Sequence, residues 1–326
     1  MTTDRQHSLD ELFMRRCLQL ARCGRNESRP NPMVGAVIVC PTSTGCGWRI
    51  IGEGYHVRCG EGHAEVNAFA SVRPEDEHLL PQSTIYVSLE PCAHYGKTPP
   101  CCDLIVAKGV KRVVVGCVDP FAKVQGRGIA RMRETGIEVT VGVLEHECRW
   151  LNRRFFTFHE KKRPYIILKW AQTSDGFIDD NGHALAISTP FTKMLVHQLR
   201  AEEDAILVGR VTDEREHPRL DVREWSGRSP VRFVLSHENG IEQILSECYE
   251  RGLQSLIVEG GRMTLQSFID LDLWDELRVE TSAQNISPNG EMKNGSTCAP
   301  MIPQNAICYR TESYDNNTIA WYKLIS

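Results

Sequence analysis

The sequence has no long hydrophobic run, no surplus of basic residues and no even set of cysteines. No apolar stretch reaches the about 18 residues that a membrane-spanning helix needs, so we expect no membrane partner. The chain starts with MTTDRQH, which contains no apolar signal-peptide core, so we expect a cytoplasmic protein. Lysine and arginine total 38 against 42 aspartates and glutamates, a net charge of −4. We therefore expect a small-molecule partner and no nucleic acid.

Length and cysteine content indicate how the chain is organised. The thirteen cysteines are an odd number spread along 326 residues, which disfavours a secreted disulfide framework. A chain of this length predicts two domains of about 150 residues each. The charged run FHEKKRP, residues 158–164, is typical of a solvated connector. We therefore predict a first domain over residues 1–157, a linker over residues 158–164 and a second domain over residues 165–326.

Strands and helices alternate along both predicted domains. In the first domain this alternation, which ends with a predicted helix from Glu145 to about Phe156, predicts a three-layer α/β/α fold. In the second domain Glu259-Gly260-Gly261 lies between a predicted strand and a predicted helix. Glycines at such a junction let backbone N–H groups approach a phosphate, although a plain turn explains the same pattern. We assign no helix or strand to residues 272–284.

The first domain contains a metal-site pattern, formed by His63-Ala64-Glu65, then Cys92, then the pair Cys101-Cys102. One imidazole and two thiolates suit a catalytic zinc that keeps a position open for water, and a carboxylate that is not a ligand can then carry the proton. A His-x-Glu motif followed by Pro-Cys and a second cysteine is the signature of zinc deaminases. We assign Cys101 as the second thiolate because it directly follows the Pro-Pro pair, in the first turn of a predicted helix.

A non-catalytic, zinc-stabilised binding protein is an alternative interpretation of the same pattern. Such a site is closed by four ligands. The obvious candidate for the fourth ligand is Cys102, but adjacent residues of a helix point in different directions. The sequence therefore favours a site with three protein ligands and Glu65 as the proton carrier.

Four stretches of the first domain resemble the deaminase half of the bifunctional riboflavin-biosynthesis deaminase/reductase family. They are residues 30–35 (PNPMVG), 63–66 (HAEV), 90–101 (EPCAHYGKTPPC) and 119–120 (DP). The resemblance implies a cytidine-deaminase-like fold, zinc held by His63, Cys92 and Cys101, and Glu65 as proton shuttle in the deamination of a phosphoribosylated pyrimidine. It also implies a polar substrate pocket, lined by Asn31, His56, His94, Lys97 and Asp119. The eight residues between Cys92 and Cys101 separate this pattern from nucleic-acid deaminases, whose two cysteines lie two residues apart.

Five stretches of the second domain resemble the reductase half of the same family. They are residues 169–176 (KWAQTSDG), 197–201 (HQLRA), 208–212 (VGRVT), 218–223 (PRLDVR) and 258–261 (VEGG). The resemblance implies a dihydrofolate-reductase-like α/β fold, NADPH-dependent reduction of the ribosyl group, and a homodimer formed through the reductase halves. It implies substrate contacts at Arg200, Leu220, Arg223 and Glu259. It implies cofactor contacts at Ala171, Thr212, Glu216, Gly260 and Gly261.

The sequence also departs from the family pattern. Phe121 stands where an asparagine is expected after Asp-Pro, and Ala184–Ser188 (ALAIS) replaces the usual Ser-x-Trp-Ile-Ser/Thr. Glu216-His217 replaces an acidic pair, and the segment between Leu235 and Ile241 is short for the family. These departures leave an alternative, in which the chain is a deaminase whose reductase domain serves only as a scaffold or dimerisation module.

Overall fold

The computed structural model describes residues 3–42, 47–95, 99–121, 125–287 and 295–325. The chain divides into two units, Met1–Glu160 and Lys161–Ser326, and each contains its own mixed β-sheet. Among the described residues, no helix combines the length and the apolarity needed to cross a lipid bilayer.

The sheet of the first unit has the strand order β2-β1-β3-β4-β5. Strand β1 runs antiparallel to β2 and β3, whereas β3, β4 and β5 run parallel. All six residues of β3 are buried, which is typical of a strand that is covered on both faces. The strands are β1 (Gly35–Pro41), β2 (Trp48–Tyr55), β3 (Thr84–Leu89), β4 (Arg112–Cys117) and β5 (Glu138–Val141).

Helices cover both faces of this sheet, so the predicted three-layer arrangement is confirmed. One apolar layer contains residues of α2, α3 and α4, and the other contains residues of α1, α5 and α6. The helices are α1 (Thr3–Ala21), α2 (Ala64–Ala70), α3 (Cys101–Lys108), α4 (Arg127–Glu134), α5 (Glu145–Leu151) and α6 (Arg153–Lys161), with 3₁₀ turns at Arg22–Gly24 and Pro74–Gln82.

The end of the first unit differs from the prediction of one helix over Glu145–Phe156 followed by a linker over residues 158–164. Two helices, α5 and α6, are separated at Asn152, and α6 continues to Lys161. The side chain of Asn152 accepts a hydrogen bond from the Met33 N–H and donates one to the Met33 carbonyl, both at 2.8 Å. Residues up to 161 stay helical because the phenyl rings on α6, including that of Phe158, are buried.

The sheet of the second unit has the strand order β10-β9-β11-β6-β12-β14-β13. The first five of these strands run parallel, and β14 and β13 add an antiparallel edge. The strands are β6 (Tyr165–Gln172), β9 (Ala205–Gly209), β10 (Val231–Leu235), β11 (Ser255–Glu259), β12 (Glu276–Ser282), β13 (Ala306–Tyr314) and β14 (Asn317–Leu324), and a separate two-stranded ribbon is formed by β7 (Asp179–Asp180) and β8 (His183–Ala184).

Four helices connect these strands. Helix α7 has a capped start, because the Thr189 side chain accepts a hydrogen bond from the Thr192 N–H at 3.2 Å and Pro190 occupies the first helical position. The helices are α7 (Pro190–Glu202), α8 (Arg210–Glu216), α9 (Ile241–Glu250) and α10 (Arg262–Asp270).

Strand β12 lies in a segment to which the sequence analysis assigned neither helix nor strand. Its sequence, ELRVETS, alternates charged and apolar residues as an exposed strand would, yet β12 lies between β6 and β14. Leu277 and Val279 face the apolar core, and the charged residues Glu276, Arg278 and Glu280 are buried as well. The charged residues of this segment are therefore the reason why the sequence pattern did not indicate a central strand.

Candidate active sites of the two domains

Helix α2 places His63 and Glu65 close to the sheet. It packs so tightly on β2 that a Cβ at Gly54 would overlap the backbone nitrogen of Ala68, so only glycine permits this approach. His63 is the residue directly before the helix, and Glu65 lies in its first turn with only 3% of its surface exposed. A short glycine-containing strand therefore fixes where the imidazole and the carboxylate lie.

The two thiols come from the junctions around β3 and α3. Cys92 follows the end of β3, and Cys101 is the first residue of α3, where its N–H donates a hydrogen bond to Cys92 Sγ at 3.3 Å. His63 Nδ1 lies 3.6 Å from Cys92 Sγ and 3.3 Å from Cys101 Sγ. The three potential ligand atoms all lie within 4.8 Å of one another. Cys102 is buried and directs its thiol to Asp103, so the group contains Cys101 instead of its neighbour.

This donor set fits a zinc ion. Two sulfurs and one imidazole nitrogen at mutual contact are the ligands of tetrahedral zinc sites, and three protein ligands leave one position for water. Hydrogen bonds from Cys101 and His63 lower the pKa of Cys92 to about 4, although burial opposes this shift. The hydrogen bond with Cys92 raises the pKa of His63, and the Cys92 thiolate together with burial raises that of Cys101. The lowered pKa of Cys92 thus favours a negatively charged thiolate at the position where a cation would bind.

The carboxylate next to these ligands has an unusual proton affinity. Burial raises the pKa of Glu65 to about 7, and the nearby His63 only partly offsets this. A carboxyl group with a pKa near neutrality can both accept and donate a proton at physiological pH.

Two of the predicted pocket residues form a hydrogen-bonded pair beside the ligands. His56 is buried, and its Nε2 lies 3.1 Å from Asn31 Nδ2 while its Nδ1 lies 3.2 Å from the Gly62 carbonyl. The amide and the carbonyl are both satisfied if the ring is neutral with its proton on Nδ1. Burial lowers the pKa of His56, which agrees with this neutral form. The ring packs edge-on against His63 with 5.3 Å between ring centroids.

The remaining pocket residues follow strands β3 and β4. Asp119 is buried, which raises its pKa to about 6, and its Oδ1 accepts a hydrogen bond from the Phe121 N–H at 2.7 Å. The N–H of Asp119 donates to Glu90 Oε2 at 3.3 Å, and Glu90 also accepts from Gly126 and Gly128. His94 is exposed, two residues after Cys92. Lys97, predicted as a substrate contact, lies outside the described residues.

In the second unit, two cationic side chains from different elements meet at one carboxylate. Arg200 on α7 makes two hydrogen bonds of 2.9 Å to Glu259 at the end of β11, and Lys169 on β6 places Nζ 3.6 Å from the same carboxylate. Although burial opposes ionisation, Lys169 and Arg200 lower the pKa of Glu259 to about 2. Burial lowers the pKa of Lys169.

Lys169 was not among the predicted site residues, although its sequence contains a signal. It interrupts the otherwise apolar start of a strand, YIILKW, whose neighbours on both sides are parallel strands. A lysine in such a strand is buried and needs a counter-ion. On β12 Arg278 is in register with Lys169, and Arg278 also acts on the pKa values of Lys169 and Glu259.

The other predicted reductase residues differ in their exposure and in their contacts. Leu220 is buried with a positive φ of 54°, which is unusual for a residue with a side chain. Arg223 is half exposed and forms an ion pair of 2.6 Å with Asp221, whose carbonyl accepts a 3.4 Å hydrogen bond from Arg200. Thr212 Oγ1 would lie 3.7 Å from a Cβ at Gly261, so these two candidate cofactor contacts are adjacent. Glu216 is exposed at the end of α8, and Ala171 lies on β6.

The departing segment Ala184–Ser188 is held by the buried charge on β12. Ser188 Oγ donates to Glu280 Oε2 at 2.8 Å. The side-chain amide of Asn317 donates to Glu280 Oε1 at 2.6 Å and to the Ile187 carbonyl at 3.0 Å. Ala184 and Ala186 are exposed. Ile187 and Ser188 thus anchor the end of the loop, whereas its two alanines are exposed to solvent.

Together, the folds and sites define a zinc-dependent deaminase domain joined to a reductase domain, and comparison with known proteins supports both assignments. Residues 7–117 match the family described as the cytidine and deoxycytidylate deaminase zinc-binding region. Residues 164–243 match the RibD C-terminal domain. The second match does not favour the alternative in which the second domain is only a scaffold.

Relatives of known identity cover nearly the whole chain. The riboflavin biosynthesis protein RibD of Aquifex aeolicus is 36% identical over 316 residues, which cover 83% of this chain and 86% of the relative. A diaminohydroxyphosphoribosylaminopyrimidine deaminase/5-amino-6-(5-phosphoribosylamino)uracil reductase from Thermotoga maritima is 34% identical with a TM-score of 0.82, covering 98% of this chain and 100% of that structure. RibD of Acinetobacter baumannii shares the fold, with a TM-score of 0.80, 23% identity, and coverage of 98% and 100%.

The chain belongs to the RibD family of bifunctional riboflavin-biosynthesis deaminase/reductases. It is an enzyme with a zinc-dependent deaminase activity and an NADPH-dependent reductase activity. This agrees with the function predicted from the sequence.

Proposed function

We propose that residues 1–157 deaminate diaminohydroxyphosphoribosylaminopyrimidine and that residues 165–326 reduce the resulting 5-amino-6-(5-phosphoribosylamino)uracil with NADPH. The observation that carries the first step is the group of His63, Cys92 and Cys101 beside the buried carboxylate of Glu65. The observation that supports the second is the Lys169–Glu259–Arg200 cluster at the end of β11.

In the deaminase site, His63, Cys92 and Cys101 would hold the zinc ion. Zinc bound there would supply an acidified water and electrostatic stabilisation of developing negative charge. Glu65 takes a proton from the attacking water and delivers protons to the ring nitrogen and to the departing amine. Water is consumed and ammonia is released. The buried position of Glu65 keeps its proton affinity high enough for both transfers.

The substrate pocket is assigned to Asn31, His56, His94, Lys97 and Asp119. Neutral His56 and the Asn31 amide support one another, so they offer a fixed pair of polar groups to the pyrimidine. Asp119 is held in place by its hydrogen bonds with Phe121 and Glu90. Lys97 supplies the positive charge that a substrate phosphate or exocyclic carbonyl requires.

In the reductase site, Arg200, Leu220, Arg223 and Glu259 contact the substrate. Arg223 is half exposed, so a substrate phosphate can reach its guanidinium beside the ion pair with Asp221. Arg200 and Glu259 orient one another through two hydrogen bonds and so provide a rigid polar surface for the ribosyl group. The NADPH contacts are assigned to Ala171, Thr212, Glu216, Gly260 and Gly261. Gly260 and Gly261 precede α10, where backbone N–H groups suit a cofactor phosphate.

We also propose a cytoplasmic homodimer that acts on this small molecule and binds neither nucleic acid nor membrane. NADPH and phosphoribosylated pyrimidines are cytoplasmic metabolites, and the net charge of −4 does not suit a polyanion. A dimer through the reductase halves is supported by β13, the edge strand of the larger sheet, whose residues Ile307 and Tyr309 are partly exposed.

The variant Glu65→Gln tests the proposed deaminase chemistry. We expect ammonia release to fall about a thousandfold, because the amide cannot carry protons. Zinc content should be unchanged, and NADPH oxidation with the deaminated pyrimidine should continue at the wild-type rate. The measurements are ammonia release, metal analysis and loss of NADPH absorbance on the same protein.

The control is Glu134→Gln, which changes an exposed carboxylate at the end of α4. It should leave both activities unchanged. Wild-type ammonia release by Glu65→Gln would remove Glu65 from its assigned role, and wild-type protein that oxidises no NADPH with the deaminated pyrimidine would contradict the proposed reduction.

A further inference from the structure

Three aromatic rings form a row beside the deaminase site. The ring of Phe121 lies 6.3 Å from that of His94, with 66° between the ring planes. On its other side it lies 5.3 Å from the ring of His159, at 60°. Both spacings fall in the range where edge-to-face aromatic pairs attract. The row therefore joins the loop after Cys92, the loop after β4 and helix α6.

The far end of the row is anchored in the apolar core. His159 packs against Phe155 with 4.5 Å between centroids and against Phe158 with 5.4 Å. Both phenyl rings are buried, and Phe155 belongs to the apolar layer beneath α1. The imidazole of His159 consequently has little freedom to move, and it can hold the ring of Phe121 from one side.

The backbone of Phe121 is fixed independently of its ring. Its N–H donates to Asp119, and Asp119 is held by Glu90, which also accepts hydrogen bonds from the start of α4. Phe121 itself is partly exposed. The exposed His94 meets this fixed ring immediately after the zinc-ligand junction. An exposed imidazole in a loop loses side-chain freedom when it is held, so a preformed ring beside it favours one orientation.

We propose that Phe121 and His159 are positioning residues for the deamination step, which hold the imidazole of His94 in the orientation that meets the pyrimidine. The proposal rests on the proposed substrate contact of His94. Phe121 is unable to form the hydrogen bonds of the asparagine expected at this position, so it acts through ring packing. His159 is its partner, and the two rings together replace a polar contact by an aromatic one.

The test uses variants that remove a ring but keep volume, Phe121→Leu and His159→Leu. Each should raise the KM for deamination about fivefold with a smaller change in kcat, because His94 becomes free to leave its bound orientation. Phe121→Tyr and His159→Phe keep the rings and should retain near-wild-type KM. Zinc content and NADPH oxidation by the same protein should not change, which separates positioning from loss of fold. The exposed His146 on α5 provides the matched control, since His146→Leu should leave KM unchanged.

The His94→Ala background separates this proposal from the proposed function. If His94→Ala alone leaves KM at the wild-type value, the assigned substrate contact is wrong. If His94→Ala raises KM but neither leucine variant does, the positioning proposal is overturned. If Phe121→Leu raises KM about as much in the His94→Ala background as in the wild type, Phe121 does not act through His94. We expect no further increase in that background.

Discussion

The two sites of this enzyme differ in whether their negatively charged groups have cationic partners within the chain. In the deaminase domain, the ligand atoms of two cysteines and one histidine lie within 4.8 Å of one another, beside a buried carboxyl group whose pKa is raised to about 7. In the reductase domain, the carboxylate of Glu259 is already neutralised by Arg200 and Lys169. The first site therefore needs an added cation, whereas the carboxylate of the second already has its cationic partners within the chain.

Removal of zinc should give the largest difference between the two domains. A chelator should abolish ammonia release, because the group at His63 then lacks its metal, while NADPH oxidation with the deaminated pyrimidine continues. A ligand present at a thousand times its Kd stabilises a folded domain by about 4 kcal/mol, so the first domain should also unfold at a lower temperature. Calorimetry with and without zinc measures this shift. An equal shift for both domains would show that the sites are not independent.

The adjacent cysteines offer a matched pair of variants for the same comparison. Cys101→Ser should lose zinc and ammonia release, since Cys101 is a member of the ligand group. Cys102→Ala removes a buried thiol that points to Asp103, so it should keep both. Zinc retained by Cys101→Ser and lost by Cys102→Ala would reverse the ligand assignment.

The reductase cluster should respond to loss of its carboxylate by losing stability. Glu259→Gln leaves Lys169 and Arg200 buried without their counter-ion, which costs about 3–5 kcal/mol. NADPH oxidation should also disappear, while ammonia release persists. Thermal unfolding of the second domain measures the loss. The control Glu242→Gln changes an exposed carboxylate on α9 and should be nearly neutral.

Glu259→Gln should also change how the stability of the second domain depends on pH. The pKa of Glu259 is lowered from its ordinary 4.5 to about 2, so its extra stabilisation is complete above pH 4.5 and is lost as the pH falls towards 2. The unfolding temperature of the wild-type second domain should therefore decline below pH 4.5 more steeply than that of Glu259→Gln. If the unfolding temperatures of the wild type and Glu259→Gln declined equally below pH 4.5, Glu259 would not be ionised in the cluster.

The smallest expected effect concerns the anchored loop. Ser188→Ala removes one hydrogen bond to the Glu280 carboxylate, which keeps its bond from Asn317, so we expect a loss of about 1.5 kcal/mol in the second domain. We expect no effect on deamination. The control Ser267→Ala changes a partly exposed serine that donates to a helix carbonyl, and it should change stability by less than about 0.5 kcal/mol. Wild-type thermal unfolding of Ser188→Ala would show that its hydrogen bond to Glu280 does not stabilise the second domain.

What the sequence could predict differs between the two sites for a physical reason. The zinc group depends on short-range spacing, since His63 and Glu65 share one helix turn and Cys92 and Cys101 flank one loop, so the motif alone predicts which side chains meet. The reductase cluster joins Lys169, Arg200 and Glu259, which are far apart in the chain, and only the strand order brings them together. The row formed by Phe121 and His159 likewise depends on tertiary packing, because the extent of helix α6 was not predicted.

Strand β12 has a consequence for the way the second domain assembles. Leu277 and Val279 lie in the apolar layer, whereas Glu276, Arg278 and Glu280 are buried on the opposite face, where Arg278 packs 5.9 Å from the ring of Trp321. If β12 shifted by one residue against β6, each of its side chains would move to the opposite face of the sheet. The three charged side chains would then lie in the apolar core, and the two apolar side chains would lie among the charged groups. Most misaligned pairings are therefore heavily penalised. The alternation of charged and apolar residues in β12 therefore selects one register of this strand in the sheet during folding.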